Sequence, residues 1–218
     1  MARTTDWRSV WARKGDRQVA AYTHEALIEL DGFDHGAGRI APETFVQAAA
    51  EAIDALGLAA GMSVLEVGCG AGAFLWGFRG RGLRLFGVDY SPALIAHART
   101  AIPEGTFAVA EATSLPFRAD AIVSFSVFQY FPDLAYARRV LAAFADAAPV
   151  ALVLDVPDLA TREEAERARA AAGSPPSTHL YYPRSFFGAA ETWTNALAGY
   201  GNGPFRFNAL LRHRPGEP

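Results

Sequence analysis

Three glycines have the type and spacing needed to bring the backbone close to a bound ligand. Gly68, Gly70 and Gly72 stand between a short apolar segment and a stretch expected to be helical through Phe78. Glycine lets a backbone approach a ligand closely, and the N-terminus of a helix offers unpaired N–H groups to an anion. The pattern predicts a ligand-binding turn between a strand and a helix. The alternative is a tight turn that binds nothing.

An acidic residue follows these glycines at a place that suits an adenosine-containing ligand. Asp89 ends the next apolar segment. A carboxylate there can accept hydrogen bonds from both hydroxyls of a ribose. Asp89 could instead cap the helix that follows it, but Ser91 can serve as that cap. We therefore predict that Asp89 binds a ribose.

The elements that must position these residues alternate along the chain between strand and helix. Such alternation predicts an α/β fold in which helices cover both faces of a mostly parallel sheet. The expected strands are residues 63 to 67, 83 to 88, 106 to 109, 121 to 125, 150 to 154 and 205 to 212. The expected helices are residues 42 to 58, 91 to 99, 134 to 147, 161 to 172 and 183 to 197.

The length of 218 residues suits a single domain. Hydrophobic residues make up 51% of the chain, which is enough for a continuous core. We expect residues 1–60 to form an N-terminal helical cap and residues 61–156 to form the ligand-binding core. Residues 157–218 would supply the helices and strands on the substrate side.

Composition narrows the classes of partner. A formal net charge of -3 gives no basic face of the kind that nucleic acid needs, so we expect no nucleic-acid partner. Cys69 is the only cysteine, which excludes an intrachain disulfide and a cysteine-based zinc site. The N-terminal residues contain no long apolar run, so neither a signal peptide nor a membrane anchor is indicated. We expect a cytoplasmic monomer or homodimer without a bound metal.

Four segments resemble, in order along the chain, the motifs of class I S-adenosylmethionine-dependent methyltransferases of the small-molecule type. They are residues 64–72, 87–91, 111–117 and 120–130, which read VLEVGCGAG, GVDYS, EATSLPF and DAIVSFSVFQY. The resemblance implies a doubly wound, seven-stranded, mostly parallel sheet with an N-terminal helical cap. It also implies S-adenosylmethionine as the cofactor.

The same resemblance implies which residues hold the cofactor. Glu66 would order the glycine turn and lie near the amino-acid part of the cofactor. Asp89 would bind the ribose, and Glu111 would contact the adenine amino group at a position where Asp is commoner. The implied cofactor-binding residues are Glu66, Gly68, Cys69, Gly70, Gly72, Asp89, Tyr90, Glu111, Ala112 and Ser126.

Two other functions fit part of this pattern. The spacing Gly68-x-Gly70-x-x-Ala73 also satisfies the fingerprint of NAD(P)-dependent oxidoreductases. Glu66 before the glycines, the helical cap ahead of them and the segment at residues 115–117 favour the methyltransferase layout. A non-catalytic S-adenosylmethionine-binding module, acting as a partner or sensor, would carry the same motifs.

The implied reaction is an in-line displacement at the sulfonium methyl group, which depends on positioning the nucleophile and excluding water. A general base is needed only when the nucleophile carries a proton. Residues 126–133 read SVFQYFPD and lack the Asp/Asn-Pro-Pro-Tyr/Phe motif of amino-methylating nucleic-acid enzymes. We therefore expect O- or N-methylation of a small molecule, in specialised-metabolite or saccharide biosynthesis.

Candidates for the substrate side come from two parts of the chain. Our first choice for a general base is His179, with Tyr182 or Tyr22 as a positioning hydroxyl, although a histidine at such a place is more often a surface residue beside a helix. Arg184 could bind an anionic group through its planar guanidinium. The predicted catalytic residues are thus His179 and Tyr182, and the predicted substrate-binding residues are Tyr22, Gln129, Tyr130, Tyr181 and Arg184.

Further residues are weaker candidates. The aromatic residues and histidines of the cap could contact substrate or simply pack. These cap residues are Trp7, Trp11, His24, Phe33 and His35. Asp155 and Asp158 could suggest a metal, but we interpret them as the polar end of a strand.

Overall fold

The computed structural model describes residues 6–34 and 36–213. Its α-helices are α1 (Trp7–Gly15), α2 (His24–Leu30), α3 (Pro42–Leu56), α4 (Pro92–Ala101), α5 (Leu134–Ala147) and α6 (Arg162–Ala171). Its β-strands are β1 (Ser63–Val67), β2 (Arg84–Asp89), β3 (Thr106–Val109), β4 (Ala121–Phe125), β5 (Val150–Pro157), β6 (Glu191–Thr194) and β7 (Arg206–Arg212).

All of these strands belong to one sheet, in the order β3-β2-β1-β4-β5-β7-β6. Strands β1 to β5 pair in parallel, and β7 runs antiparallel to both β5 and β6. Parallel neighbours need crossover connections, which α4 supplies between β2 and β3 and α5 supplies between β4 and β5. The predicted mostly parallel, seven-stranded α/β sheet is confirmed.

Each face of the sheet carries its own hydrophobic core. Alternate residues of β1 divide between the two cores, because successive side chains of a strand point to opposite faces. Val64 lies in the core that includes α3 and α4, whereas Leu65 lies in the core that includes α5. Strands β1 and β4 are buried along their whole length. Burial on both sides is what their uninterrupted apolar sequences predict.

Local sequence signals explain where several helices begin and end. Pro42 and Pro92 occupy the first turns of α3 and α4, where the missing N–H of proline is not needed. Ser91 caps α4 by accepting a hydrogen bond from the Leu94 N–H, as predicted. Gly57 ends α3 in the left-handed conformation at φ 65°, a conformation that glycine adopts without strain.

Two helix predictions are wrong. The stretch after the glycines forms only a short 3-10 helix, Leu75–Phe78. The helix predicted for residues 183–197 is replaced by a 3-10 helix, Arg184–Phe187, and by strand β6. Gly188 separates the two with φ 62° and ψ -125°, a backbone conformation that ends any helix there. The threonines and tryptophan of β6 suit a half-buried edge strand.

Helix α1, in the segment predicted to form the cap, packs closely against α4. The backbone of Gly15 in α1 approaches Ala93 so closely that a Cβ on Gly15 would lie 2.7 Å from the Ala93 side chain. Gly15 O also accepts a hydrogen bond from His97 of α4 at 2.9 Å. Within residues 6–34 and 36–213, no helix is long and apolar enough to cross a membrane.

Candidate active site

A cavity of about 430 Å³ opens at the carboxyl ends of β1, β2 and β4, beneath helix α1. Ligands of open α/β sheets bind at this edge. The turn after β1, the end of β2 and the turn after β4 each contribute lining residues. Lining residues central to the site are Trp7, Arg8, Trp11, Asp31, Glu66, Gly68, Cys69, Gly70, Asp89, Tyr90, Glu111, Ala112, Ser126, Tyr130 and His179.

The glycine turn, residues 68–72, forms the floor of one end. A Cβ on Gly68 would lie 2.5 Å from Val127, and one on Gly70 would lie 2.2 Å from Asp31 Oδ1. Both glycines also have positive φ. The positions therefore require glycine for space as well as for conformation.

The N–H groups of this turn already bind acids of the protein itself. Gly70 N–H donates to Asp89 Oδ2 at 3.1 Å. Ala71 N–H donates to Asp31 Oδ1 at 2.7 Å, and Ala73 N–H donates to Asp31 Oδ2 at 3.0 Å. The expectation that these groups await a bound anion is therefore corrected, since Asp31 supplies the anion from the cap.

Asp89 is fixed at the end of β2 by two backbone groups. Its Oδ1 accepts from Ser91 N–H at 2.8 Å and its Oδ2 accepts from Gly70 N–H. Burial raises the pKa of Asp89 to about 6, although these hydrogen bonds favour the carboxylate. Ser91 caps α4 with its own hydroxyl, so the helix does not need Asp89 as its cap. The Asp89 carboxylate instead lines the cavity.

Glu66, at the end of β1, is 2% exposed, and its Oε2 has no hydrogen-bond partner. Burial, and then the nearby Asp31 carboxylate, raise the pKa of Glu66 well above its ordinary value. Asp31 is affected in the same direction, because burial raises its pKa to about 7. Burial also raises the pKa of the Cys69 thiol, so this cysteine lines the site as a neutral group.

Helix α1 is attached to the same end of the cavity through Arg8. Its guanidinium forms an ion pair with Glu111 and lies 4.9 Å from the ring centroid of Tyr90. The second Glu111 oxygen accepts from the Tyr136 hydroxyl at 3.0 Å. Tyr90 in turn donates its hydroxyl to the Trp7 carbonyl at 3.3 Å. Arg8 thus joins helix α1 to Glu111, the predicted adenine contact.

Another part of the cavity lining consists of rings. Four half-buried side chains, which we call the ring wall, are Trp7, Trp11, Tyr130 and His179. The ring centroids of Trp7 and Tyr130 are 4.8 Å apart, and those of Trp11 and Tyr130 are 5.2 Å apart. His179 lies 5.1 Å from Trp7 and 5.4 Å from Tyr130.

His179 is electrically neutral in this setting. Burial, followed by the positive charges of Arg206 and Arg169, lowers its pKa to about 3. An imidazole with so low a pKa accepts a proton poorly at neutral pH. It can still accept or donate one hydrogen bond at each ring nitrogen.

Several residues predicted for the substrate side do not line this cavity. Tyr182 is fully buried, and its hydroxyl donates to the Phe128 carbonyl at 2.8 Å. Tyr182 is therefore a core residue in this structure and not a hydroxyl of the cavity lining, because a backbone carbonyl accepts the hydrogen bond of its hydroxyl. Tyr22 bonds to His97 Nδ1 at 2.9 Å.

The other residues outside the cavity lining also have protein partners. Arg184 donates to Asp158 Oδ2 at 2.8 Å, which removes it as a ready anion site. Tyr181 donates its hydroxyl to Glu166 at 3.0 Å. Gly72 forms the tight turn, its N–H donating to Cys69 O at 2.8 Å.

Gln129 acts from beneath the cavity. It donates to the Ser126 hydroxyl at 2.7 Å and accepts from the buried guanidinium of Arg206 at 2.9 Å. Ser126 has φ 58°, an unfavourable backbone conformation for a serine. The Gln129 bridge therefore supports a strained residue of the lining.

The weaker candidates divide in the same way. Trp7, Trp11 and Phe33 line the cavity, while His24 Nε2 bonds to the Ala73 carbonyl at 2.8 Å and packs beside Trp76. His35 lies outside the described residues. Two contacts that the sequence interpretation missed, Arg8 with Glu111 and Asp31 with the glycine turn, join distant segments and leave no local periodic signal.

The acids at the end of β5 are bonded to neighbouring side chains. Asp155 accepts from Asn195 at 3.2 Å and from the Tyr200 hydroxyl at 2.9 Å. Asp158 accepts from Arg184. In the part of the chain that the structure describes, no group of three or more His, Cys, Asp or Glu side chains could hold a metal ion.

Comparison with known proteins places this chain in a family. A family model described as "Methyltransferase domain" matches residues 41–201. None of the curated proteins matches the chain in sequence.

Solved structures share the fold at low sequence identity. Magnesium protoporphyrin IX methyltransferase from Synechocystis PCC 6803, with bound SAH, has a TM-score of 0.59 and 15% identity, covering 95% of this chain and 93% of that one. A putative S-adenosyl-L-methionine-dependent methyltransferase from Methanococcus maripaludis has a TM-score of 0.58 and 12% identity, covering 93% and 98%.

A third structure, titled "Conversion of a Disulfide Bond into a Thioacetal Group during Echinomycin Biosynthesis", has a TM-score of 0.59 and 22% identity, covering 78% of this chain and 83% of that one. The family match spans most of the chain and decides between the methyltransferase and oxidoreductase interpretations of the glycine turn. The chain belongs to the methyltransferase domain family and is a class I S-adenosylmethionine-dependent methyltransferase.

Proposed function

We propose that this enzyme transfers the methyl group of S-adenosylmethionine to an oxygen or nitrogen atom of a small-molecule acceptor, in specialised-metabolite or saccharide biosynthesis. One observation carries the proposal: a single cavity joins the acid-rich motif residues to the ring wall beneath α1. A cavity of about 430 Å³ has the size of small-molecule sites.

The residues present fit the cofactor. Glu66 offers a buried carboxylate oxygen without a donor, and Asp89 offers a carboxylate fixed at the cavity wall. When bound, S-adenosylmethionine supplies an electrophilic methyl group on a sulfonium. We propose that Asp89 binds its ribose hydroxyls, that Glu111 and Ala112 border its adenine, and that Glu66 borders its amino-acid part.

The ring wall would orient the acceptor. Trp7 and Trp11 come from helix α1, while Tyr130 comes from the turn after β4 and His179 from the segment after α6. Flat apolar surfaces stack on such rings and displace water from them. Excluding water and fixing the nucleophile supply most of the rate in a displacement of this kind.

We propose a hydrogen-bonding role for His179 instead of the general-base role first expected. Its lowered pKa keeps the imidazole neutral and makes it a weak base. A nucleophile that needs no deprotonation, such as a neutral amine, suits this environment best. The Tyr130 hydroxyl, whose pKa is raised by burial, is a second neutral group that could position the acceptor.

Two of the similar structures have titles that concern small molecules, magnesium protoporphyrin IX and echinomycin. They support a small-molecule acceptor for this chain, whose cavity lies in the same fold.

The test is turnover to S-adenosylhomocysteine with a panel of aromatic, amino-sugar and hydroxylated acceptors, followed by mass spectrometry of the product. We expect one methyl group to be added to a small molecule. Methylation confined to nucleic acid or protein would contradict the proposal.

A further inference from the structure

Asp31 brings a carboxylate from the cap onto the floor of the cavity. It follows α2 directly, and its two oxygens accept from Ala71 N–H at 2.7 Å and Ala73 N–H at 3.0 Å. A Cβ on Gly70 would lie 2.2 Å from Asp31 Oδ1, so the carboxylate rests against this glycine. The cap and the glycine turn are thus joined by two charge-assisted hydrogen bonds.

This pairing does not use all the acceptor capacity of Asp31. An ionised carboxylate has about four lone-pair positions, and the two N–H groups occupy two of them. Asp31 also lines the cavity. A donor entering the cavity can therefore bond to Asp31 without breaking its bonds to the glycine turn.

Glu66 provides an independent sign of a missing donor. It is 2% exposed and lines the same end of the cavity, and its Oε2 has no hydrogen-bond partner. A buried acceptor without a donor is costly. Burial, and then the charge of the Asp31 carboxylate, raise the pKa of Glu66. A positively charged donor between them would remove both the repulsion and the unpaired oxygen.

Charged residues nearby limit what that donor can be. Among the lining residues that the structure describes, Arg8 is the one with an Arg or Lys side chain. It is already paired with Glu111. Lys14 stands on α1 with its Nζ 5.2 Å from the ring centroid of Trp11 and beside Gly32, where a Cβ would lie 2.4 Å from Nζ. Its charge lowers the pKa of Asp31 less than the backbone hydrogen bonds do, and Lys14 does not line the cavity. A ligand carboxylate would be repelled by both acids.

We propose that Asp31 and Glu66 together bind the ammonium group of S-adenosylmethionine, with Asp31 supplied by the cap. An ammonium carries three N–H donors, which matches two carboxylates that line the same cavity. The cap then contributes directly to cofactor affinity, beyond covering the site. The inference concerns the cofactor end alone and is independent of which acceptor is methylated.

The test compares S-adenosylhomocysteine with an analogue in which hydrogen replaces its α-amino group. Affinities are measured by calorimetry for the wild type, for Asp31→Asn and for Glu29→Gln, an exposed acid two residues away on α2. Asp31→Asn should weaken S-adenosylhomocysteine binding by about tenfold or more and should leave the analogue within about twofold. Glu29→Gln should change neither.

Three results would overturn the proposal. An equal loss for both ligands would mean that Asp31 only holds the glycine turn in place, and no loss for either would remove it from the site. The third result would be wild-type protein that binds S-adenosylhomocysteine less than about tenfold tighter than the analogue. This comparison uses no variant, so a folding defect cannot affect it. Asp31→Ala replaces the Asn variant if that variant fails to fold. Normal binding without methylation of any small molecule would contradict the proposed acceptor class and leave this inference standing.

Discussion

Two parts of the cavity lining, which we call the charged end and the ring end, are built from different groups. The charged end has Asp31, Glu66 and Asp89, two of which are held by backbone N–H groups of the glycine turn. The ring end is the ring wall, whose histidine is neutral. The charged end brings three carboxyl groups together, which suits a cationic cofactor. The ring end is apolar and offers few directional bonds, which suits an acceptor held mainly by shape.

The largest effect should come from the charged end. Asp89→Ala removes the predicted ribose ligand and the acceptor for the Gly70 and Ser91 N–H groups. We expect S-adenosylhomocysteine affinity to fall about a hundredfold, since hydrogen bonds to a charged group contribute about 1.5–3 kcal/mol each. Calorimetry measures the loss, and a thermal melt checks the fold. Unchanged affinity would mean that Asp89 does not bind the ribose.

The motif residues of the charged end line one cavity, as their order along the sequence predicts, because these parts are local. Strand, glycine turn and terminal acid follow one another, and the helix at Leu134–Ala147 was predicted at its observed bounds. Asp31 was missed because it reaches the glycine turn from 40 residues away, without a periodic pattern.

The ring end was predicted less well. Tyr182 has the residue type of a catalytic hydroxyl, but the Phe128 carbonyl satisfies it in the core. Residues 183–197 have helix-compatible composition, yet pairing with β7 makes part of them a strand. In both cases a distant partner, which no local pattern reveals, decides the outcome.

The next largest effect should be the pH dependence of cofactor binding, which tests the carboxyl groups of the charged end. In the free protein the pKa of Asp31 is raised to about 7 and that of Asp89 to about 6, chiefly by burial. A cationic ligand prefers the ionised carboxylates, so affinity for S-adenosylmethionine should rise roughly tenfold between pH 5 and pH 8 and then level off. Calorimetry across this range is the measurement.

Linkage fixes the sign of the accompanying stability change. Both acids have folded pKa values above their unfolded values near 4, so the folded state holds protons that the unfolded state releases. The free energy of unfolding of the free protein should therefore decline as pH rises from about 4 to about 7. Asp31→Asn should remove the contribution of Asp31 and leave those of Asp89 and of Glu66, whose pKa burial also raises. Affinity and stability that stay flat over this range would contradict the charged character of this end.

A substitution in the ring wall should affect the acceptor and spare the cofactor. Trp11→Ala removes a ring 5.2 Å from Tyr130. Ring contacts are worth about 0.5–1.5 kcal/mol each beyond burial, so KM for the acceptor should rise about fivefold. S-adenosylhomocysteine affinity should stay within about twofold, and Trp11→Phe should restore most of the loss. If cofactor affinity falls instead, Trp11 covers the cofactor and the ring wall is smaller than proposed.

The smallest effect should come from His179, and it separates a positioning role from general-base catalysis. With a pKa lowered to about 3, His179 is neutral from pH 5 upward and contributes no titration to kcat near pH 6.5. His179→Gln keeps a hydrogen-bonding side chain and should lower kcat by less than about tenfold, whereas losing a general base costs about 10²-fold or more. The measurement is kcat against pH for both proteins with the acceptor identified by turnover. A limb near pH 6.5 that disappears in the variant would show that substrate binding raises the pKa of His179 and that the ring end carries a base after all.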